Sequence, residues 1–302
     1  MGLTLLEANK LEQDPARLAV ISELAEGELM ASVPFMSISG PGVDYGVESE
    51  LPAVGFRAFN ESYPESYGVI NPQYERLKIF GGDIDVDLAK ILMSGEQTKI
   101  DQIQMKVRSM RLTFEDLFIN GSESTDPRQF DGLKTRINAG SSQAINQNGA
   151  LSLAKLDELI DTVESGSTEK VLIMNKKLRR LLTVAARSTT VGGFITYDRD
   201  EFGRRVTRYG DTRIVVTDTN AQNVAIQPFT ESASSTSVYC VAFGDMMTTA
   251  LQHSNGIMIY QLGQVDDAPV DRTRIEWYVG EAVFSGRSCA RLYGVTDATV
   301  VV

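Results

Sequence analysis

Between Ile100 and Leu117 the apolar residues Ile100, Ile103, Val107, Met110, Phe114 and Leu117 recur at alternating steps of three and four. Residues so spaced stack on one face of a helix, so the segment can bury them together only as a helix. Lys99, Asp101, Gln102, Gln104, Lys106, Arg108, Ser109 and Arg111 wet the other face. Asn120-Gly121 tolerates a left-handed turn, and the helix is expected to end there. Counted from Glu96, it runs for about 24 residues, roughly 36 Å, about twice an average globular helix. About two and a half heptads are too few for a coiled coil. The flanking sequence is strand-like, so the expectation is a single spine packed on a sheet of C-terminal strands.

The rest of the chain surrounds that spine with unlike pieces. Residues 3–30 read as helix through Leu5, Leu6, Leu11, Leu18, Ile21, Leu24 and Leu29, with Asp14-Pro15 as a cap and first-turn proline. After Gly40-Pro41-Gly42 comes a long two-stranded hairpin, out through Tyr45 to Phe59 and back through Tyr67 to Phe80. Neither arm has the apolar residues for a core of its own, and an isolated hairpin is marginal in water, so this one is expected to lie on something. The alternative is an ordinary hairpin of a sandwich.

Beyond Leu77 and Ile79 the apolar set moves to Ile84, Val86 and Leu88, the phase change of a bulge at Gly81-Gly82. Asp83, Asp85 and Asp87 lack the Gly and Glu of a calcium loop and read as solvent-facing, with Asp87 capping the next helix. Residues 120–137 read as a loop. Then βα logic takes over: a helix from Ser152 with Leu156, Leu159, Ile160 and Val163 inward, a buried strand Val171–Met174, and a helix capped by Asn175 with Leu178, Leu181, Leu182 and Ala185 inward. From Gly192 to Tyr209 the chain reads as a polar, arginine-rich loop; Ile214–Val216 is again a strand. Strands 238–243, 257–262, 275–284 and 288–295 close the chain.

Composition removes several function classes. Net charge is −11 (29 basic, 40 acidic residues), against a dedicated nucleic-acid reader. No apolar run reaches the length of a membrane span, and no signal peptide is read at the start. Cys240 and Cys289 have no CxxC spacing and read as buried thiols, consistent with a cytoplasmic site of synthesis. A Ser-His-Asp site would have to use His253, the single histidine, yet no GxSxG elbow accompanies it. No Walker loop or GxGxxG occurs, and one His with two distant Cys builds no familiar metal site. No cofactor, metal or catalytic residue is assigned. The basic stretch Lys176–Arg213 holds ten Lys or Arg against four Asp or Glu, a local +6 that leaves −17 for the remainder. Its Arg199, Arg204, Arg205 and Arg208 have three readings: a phosphate site, a solvated face, or pairing between subunits.

The order of the pieces resembles the major capsid proteins of tailed bacteriophages, the fold named after phage Hong Kong ninety-seven. FEDLFINGS and FDGLKTRI between Phe114 and Ile137 are similar to that family's helix exit and linker, and VLIMNKKLRR (171–180) and VTRYGDTRIVV (206–216) to its axial domain. The resemblance implies an α+β fold with an N-terminal arm (1–40), an extended loop hairpin (41–82), a peripheral domain with the spine (83–135), an axial domain (136–250) and strands returning to the peripheral domain (251–302). It implies a structural, non-enzymatic protein that forms hexamers and pentamers of an icosahedral shell around double-stranded DNA. It is expected in the virion, assembled in the bacterial host cytoplasm, with portal, decoration and a separate scaffolding protein as partners and no membrane. No Lys occurs between Val43 and Arg76, so noncovalent assembly is expected. Candidate contact residues are Arg57, Phe59, Tyr63 and Tyr67 on the hairpin and Arg199, Arg204, Arg205 and Arg208 beyond it. An encapsulin-like nanocompartment shell is the alternative, and a β-rich hydrolase the third reading.

Overall fold

The structure is a computed structural model that describes residues 20, 23–24, 26–166, 168–187, 194–199, 205–232, 234–266 and 268–301. The first part of the expected 3–30 helix lies outside those residues, as does Arg204. In chain order the elements are α1 (Glu28–Ser32), β1 (Phe35–Ile38), β2 (Gly42–Glu50), β3 (Val69–Arg76), β4 (Lys78–Asp87), α2 (Leu88–Ser94), α3 (Gln97–Asn120) and α4 (Leu133–Arg136). There follow β5 (Ala144–Ser152), α5 (Leu153–Thr162), β6 (Lys170–Asn175), α6 (Lys176–Ala186), β7 (Ile195–Arg199), β8 (Arg205–Tyr209) and β9 (Thr212–Thr217). The chain closes with β10 (Ser235–Ala242), β11 (Thr248–Val265), β12 (Ala268–Val283) and β13 (Cys289–Val301).

The spine α3 buries Ile103, Val107, Met110, Phe114 and Phe118 against a four-stranded sheet of order β1-β11-β12-β4. Ile100 and Leu117, the ends of the stripe, are half-buried. At the centre the Phe114 ring lies 5.2 Å from Trp277, 5.9 Å from Phe35 and 6.0 Å from Phe130, the separations at which tilted aromatic rings attract. Near its start, Lys99 Nζ meets Asp271 Oδ2 of β12 at 3.0 Å.

The second sheet has seven strands in the order β5-β13-β10-β6-β9-β8-β7. Its central strands β6 and β10 are buried on both faces, which explains the unbroken apolar run of β6. Val171 and Ile173 point into the spine's core, while Leu172 and Met174 point into a second core under α5 and α6. Asn175 Oδ1 accepts from the Leu178 N–H at 2.8 Å and starts α6.

Several expectations are corrected. β13 lies between β5 and β10 in the seven-stranded sheet, so the stretch 251–302 is split between the two sheets. Its Ala290, Leu292 and Val295 fill the core under α5 and α6. β1, read as part of an arm, is a sheet strand pairing parallel with β11.

The hairpin is shorter than 45–80. β2 and β3 pair, residues 51–68 form no ladder, and β4 leaves the hairpin to pair with β12. Pro52 and Pro64 bring no N–H to a ladder there. No bulge occurs at Gly81-Gly82, because β4 stays in register with β12 from Lys78 to Asp87. The apparent phase change arises because Ile79 faces outward, 75% exposed. Gly81 is required by close packing: a Cβ there would stand 2.1 Å from the Ile275 carbonyl. Gly121 is not left-handed (φ −54°); a side chain there would strike the Leu117 and Phe130 carbonyls. The arginine-rich 192–209 segment carries a β-hairpin, β7 with β8, within its described residues.

Candidate assembly surfaces

Two surfaces stand out once elements and charges are placed. The first is the end of the β2–β3 hairpin. Residues 51–68 hold their own shape: Ser66 Oγ donates to the Ala53 carbonyl at 2.8 Å, the Ala58 N–H to Glu61 Oε2 at 3.0 Å, and Arg57 to the Glu61 carbonyl at 3.3 Å. The Arg57 guanidinium lies 5.2 Å from the Tyr63 ring centroid. The apolar side chains nonetheless point outward. Val54, Phe56 and Phe59 are fully exposed, and Leu51, Tyr63, Tyr67 and Ile70 are mostly exposed. At about 25 cal/mol per Å² of apolar surface, leaving these in water forgoes several kcal/mol that a partner would supply. Of the expected contact residues, Arg57, Phe59, Tyr63 and Tyr67 thus share one loop.

The second surface is basic. Arg205 stacks on the Tyr197 ring at 3.9 Å. Among the described residues, both line a cavity of about 440 Å³ with Arg179 and Arg180 of α6, Arg187 just past its end, Thr183, Val184 and Thr207, and no carboxylate. The sequence singles out Arg205 as a contact candidate but not Arg179, Arg180 or Arg187. Their steps of seven and eight along a helix were the available signal. Arg199 sits at the end of β7. Arg208 is already engaged in its own chain, with Glu169 at 2.8 Å and the Asp211 carbonyl at 2.9 Å.

The helix expected after Asp87 is α2, none of whose residues is buried; Leu92 and Met93 face solvent. The aspartates of β4 are explained by cross-strand pairs: Asp83 with Arg274 and Asp85 with Arg272, each bidentate at 2.7–2.9 Å. The paired guanidiniums hold both carboxyls below the usual range. Asp87 Oδ1 accepts from the Ala89 N–H at 2.8 Å and caps α2.

Buried charge lies where pieces join. Glu23 meets Arg108 at 2.7 Å and Arg111 at 3.5 Å, fastening the N-terminal segment to the spine. Beside them burial raises Glu115 to about 6, with Arg111 opposing. Cys240 and Cys289 are free, buried thiols, pushed up to about 12 by burial, which makes them poor nucleophiles. His253 Nδ1 accepts from the Asn255 N–H at 3.3 Å, and its ring stands edge-on to Tyr278. Among the described residues no carboxylate hydrogen-bonds it, and no cluster of His, Cys, Asp and Glu is arranged to hold a metal. No described helix is long and apolar enough to cross a membrane.

Comparison with known proteins agrees with this architecture. The model of the SU10 major capsid protein matches residues 91–246, just over half of the chain, and that of the major capsid protein GP7 matches residues 25–152. No curated protein sequence matches significantly. The fold is similar to that of the holo-SrpI encapsulin complex from Synechococcus elongatus PCC 7942 (17% identity, 91% of this chain and 89% of that one, TM-score 0.66). It is similar also to Mycobacterium phage Bobi (10% identity, 99% and 100%, TM-score 0.63) and to the capsid of the native GTA particle (12%, 95% and 92%, TM-score 0.60). These likenesses establish the α+β capsid fold, and the family match covers the spine and most of the seven-stranded sheet. The chain belongs to the SU10 major capsid protein family, and is a structural capsid protein of the tailed-phage kind.

Proposed function

We propose that the chain assembles with copies of itself, noncovalently, into hexamers and pentamers of an icosahedral virion shell enclosing double-stranded DNA. The observation that carries this reading is the hairpin end, whose apolar side chains are exposed and held away from the protein's own core. In the shell, Phe59, Tyr63 and Tyr67 are buried on an adjacent subunit, with Arg57 at their rim. Arg199 and Arg205, together with Arg179, Arg180 and Arg187, face a neighbour. The absence of Lys from 44–75 supports contacts that are not covalent. The segment before β1 serves as an arm, β2–β3 as the extended loop, the spine with the four-stranded sheet as the peripheral domain, and the seven-stranded sheet with α5 and α6 as the axial domain. Assembly takes place in the bacterial host cytoplasm, with scaffolding, portal and decoration proteins as partners. The net charge of −11 suits a container that does not grip the nucleic acid inside it.

The test is to express the chain with its neighbouring genes and size the product by light scattering and electron microscopy. Closed particles of megadalton mass are expected; a stable monomer under every condition overturns the reading. A second reading, an encapsulin-like compartment, is favoured by the TM-score of 0.66 to the SrpI shell. Packaged DNA in the particles supports the virion, and a co-purifying cargo enzyme supports the compartment.

A further inference from the structure

The hairpin joins the rest of the molecule through short connections. Residues 39–41 lead into β2, and Leu77 alone separates β3 from β4, its N–H bonded to the Pro41 carbonyl at 2.9 Å. A two-stranded ribbon on such links can swing unless something sets its angle. At its base, Arg136 of α4 uses each arm of its guanidinium. Nε donates to the Asp131 carbonyl at 2.8 Å, Nη2 to the Glu281 main-chain carbonyl of β12 at 2.9 Å, and Nη1 to Glu75 Oε1 of β3 at 2.6 Å. Tyr45 of β2 donates to the same Glu75 oxygen at 3.4 Å, while its ring packs edge-on to Phe284 at 4.7 Å.

A second carboxyl lies within electrostatic reach of this cation. The Glu281 side chain is fully buried, and among the described residues neither of its oxygens has a hydrogen-bond partner. A lone buried carboxylate would be very costly, and burial holds this carboxyl well above the usual range, which favours its neutral form. Its charged surroundings are Arg136 from α4, Glu75 from β3 and Asp131 from the preceding loop. Cys289 of β13 feels it, and Tyr45 of β2 feels the guanidinium. With Glu281 neutral, Arg136 and Glu75 form a balanced pair; with Glu281 ionised, two carboxylates compete for one cation.

We propose that Arg136 is the positioning residue of the hairpin, a latch whose guanidinium bonds Glu75 to fix the hairpin's angle. Its consequence for particle geometry rests on the shell reading above; the latch itself does not. The test is hydrogen exchange on the full-length, unassembled chain, comparing wild type with Glu75→Gln and Glu281→Gln at pH 7. Glu75→Gln removes the charge partner at a half-buried position and should speed exchange of the 42–50 and 69–76 amides by about ten- to a hundredfold. Exchange in α3 should stay unchanged. Glu281→Gln mimics the neutral carboxyl and should leave the hairpin as protected as in wild type.

Hairpin protection within twofold of wild type in Glu75→Gln overturns the latch, as does loosening that extends equally to α3. Loosening of the hairpin by Glu281→Gln overturns the role given to the neutral carboxyl. Particle diameter is then measured for all three proteins. A changed or scattered diameter in Glu75→Gln alone ties the latch to shell geometry. An unchanged diameter removes that link, and failure of all three to assemble counts against the shell reading while the exchange result stands.

Discussion

Glu115 is a residue whose burial works against the fold at neutral pH. It lies on the spine under the N-terminal segment, and its Oε1 packs so tightly on Gly27 that a Cβ there would sit 2.3 Å away. Burial raises its carboxyl from 4.5 to about 6, more than the nearby Arg111 can offset. The folded state therefore binds a proton that the unfolded chain has already released between those two values. Stability contributed by this group is complete below 4.5 and is lost as pH rises through about 6. That rise from 4.5 to about 6 corresponds to roughly 2 kcal/mol. Glu115→Gln keeps the shape without the charge. It should be more stable than wild type by up to about 2 kcal/mol at pH 7 and no different at pH 4. Denaturant midpoints at the two pH values check this, and a variant less stable than wild type at pH 7 refutes it. Nothing in the sequence around Glu115 marks it, because its burial is created by residues 26–30, far away in the chain. The cap at Asn175 was legible because its cause is local: a side-chain acceptor three residues before the N–H it serves.

Among elements, the spine was the most legible, since six apolar residues at helical spacing permit one solution. That logic makes a strong prediction. Ile103 is 2% exposed at the contact between α3 and the four-stranded sheet. Ile103→Asp sets a carboxylate in a space without a partner and should cost several kcal/mol, against the roughly 5–15 kcal/mol that holds a typical domain together. Ile103→Val removes one methylene and should cost about 1 kcal/mol. Circular dichroism and soluble yield distinguish them: loss of fold is expected in the first and a native spectrum in the second. A folded Ile103→Asp protein would mean that the stripe is not the seam. Other elements were hidden for identifiable reasons. β7 and β8 read ITYDR and RVTRY, with no apolar alternation, because β7 is an outer strand of the sheet, largely exposed. The supposed bulge in β4 came from Ile79, an outward apolar residue that mimics the inward phase of its neighbours.

For the whole molecule, the order of unlike pieces carried more information than any motif, and it is the order that led to the capsid fold. The pattern could not say which sheet each late strand would join. A period of two specifies that a strand has an inner face, yet β12 and β13 both satisfy it and lie in different sheets. The hairpin end is the part whose sequence makes least sense for an isolated chain. Phe56 and Phe59 are as exposed as they would be in an unfolded peptide, so they contribute nothing to the stability of this subunit. Deleting 48–67 leaves Tyr45, Glu75 and Arg136 in place and removes only the ladder's far end and the loop. The deleted chain should melt within about 2 °C of wild type, because no buried apolar group is lost. Its particles should be absent, because the surface that assembly is proposed to bury has gone. Scanning calorimetry and particle sizing on the same preparation read the two effects separately. Intact shells of normal melting temperature from the shortened chain would disprove the role given to the hairpin. A large loss of stability would instead show that the loop supports its own subunit.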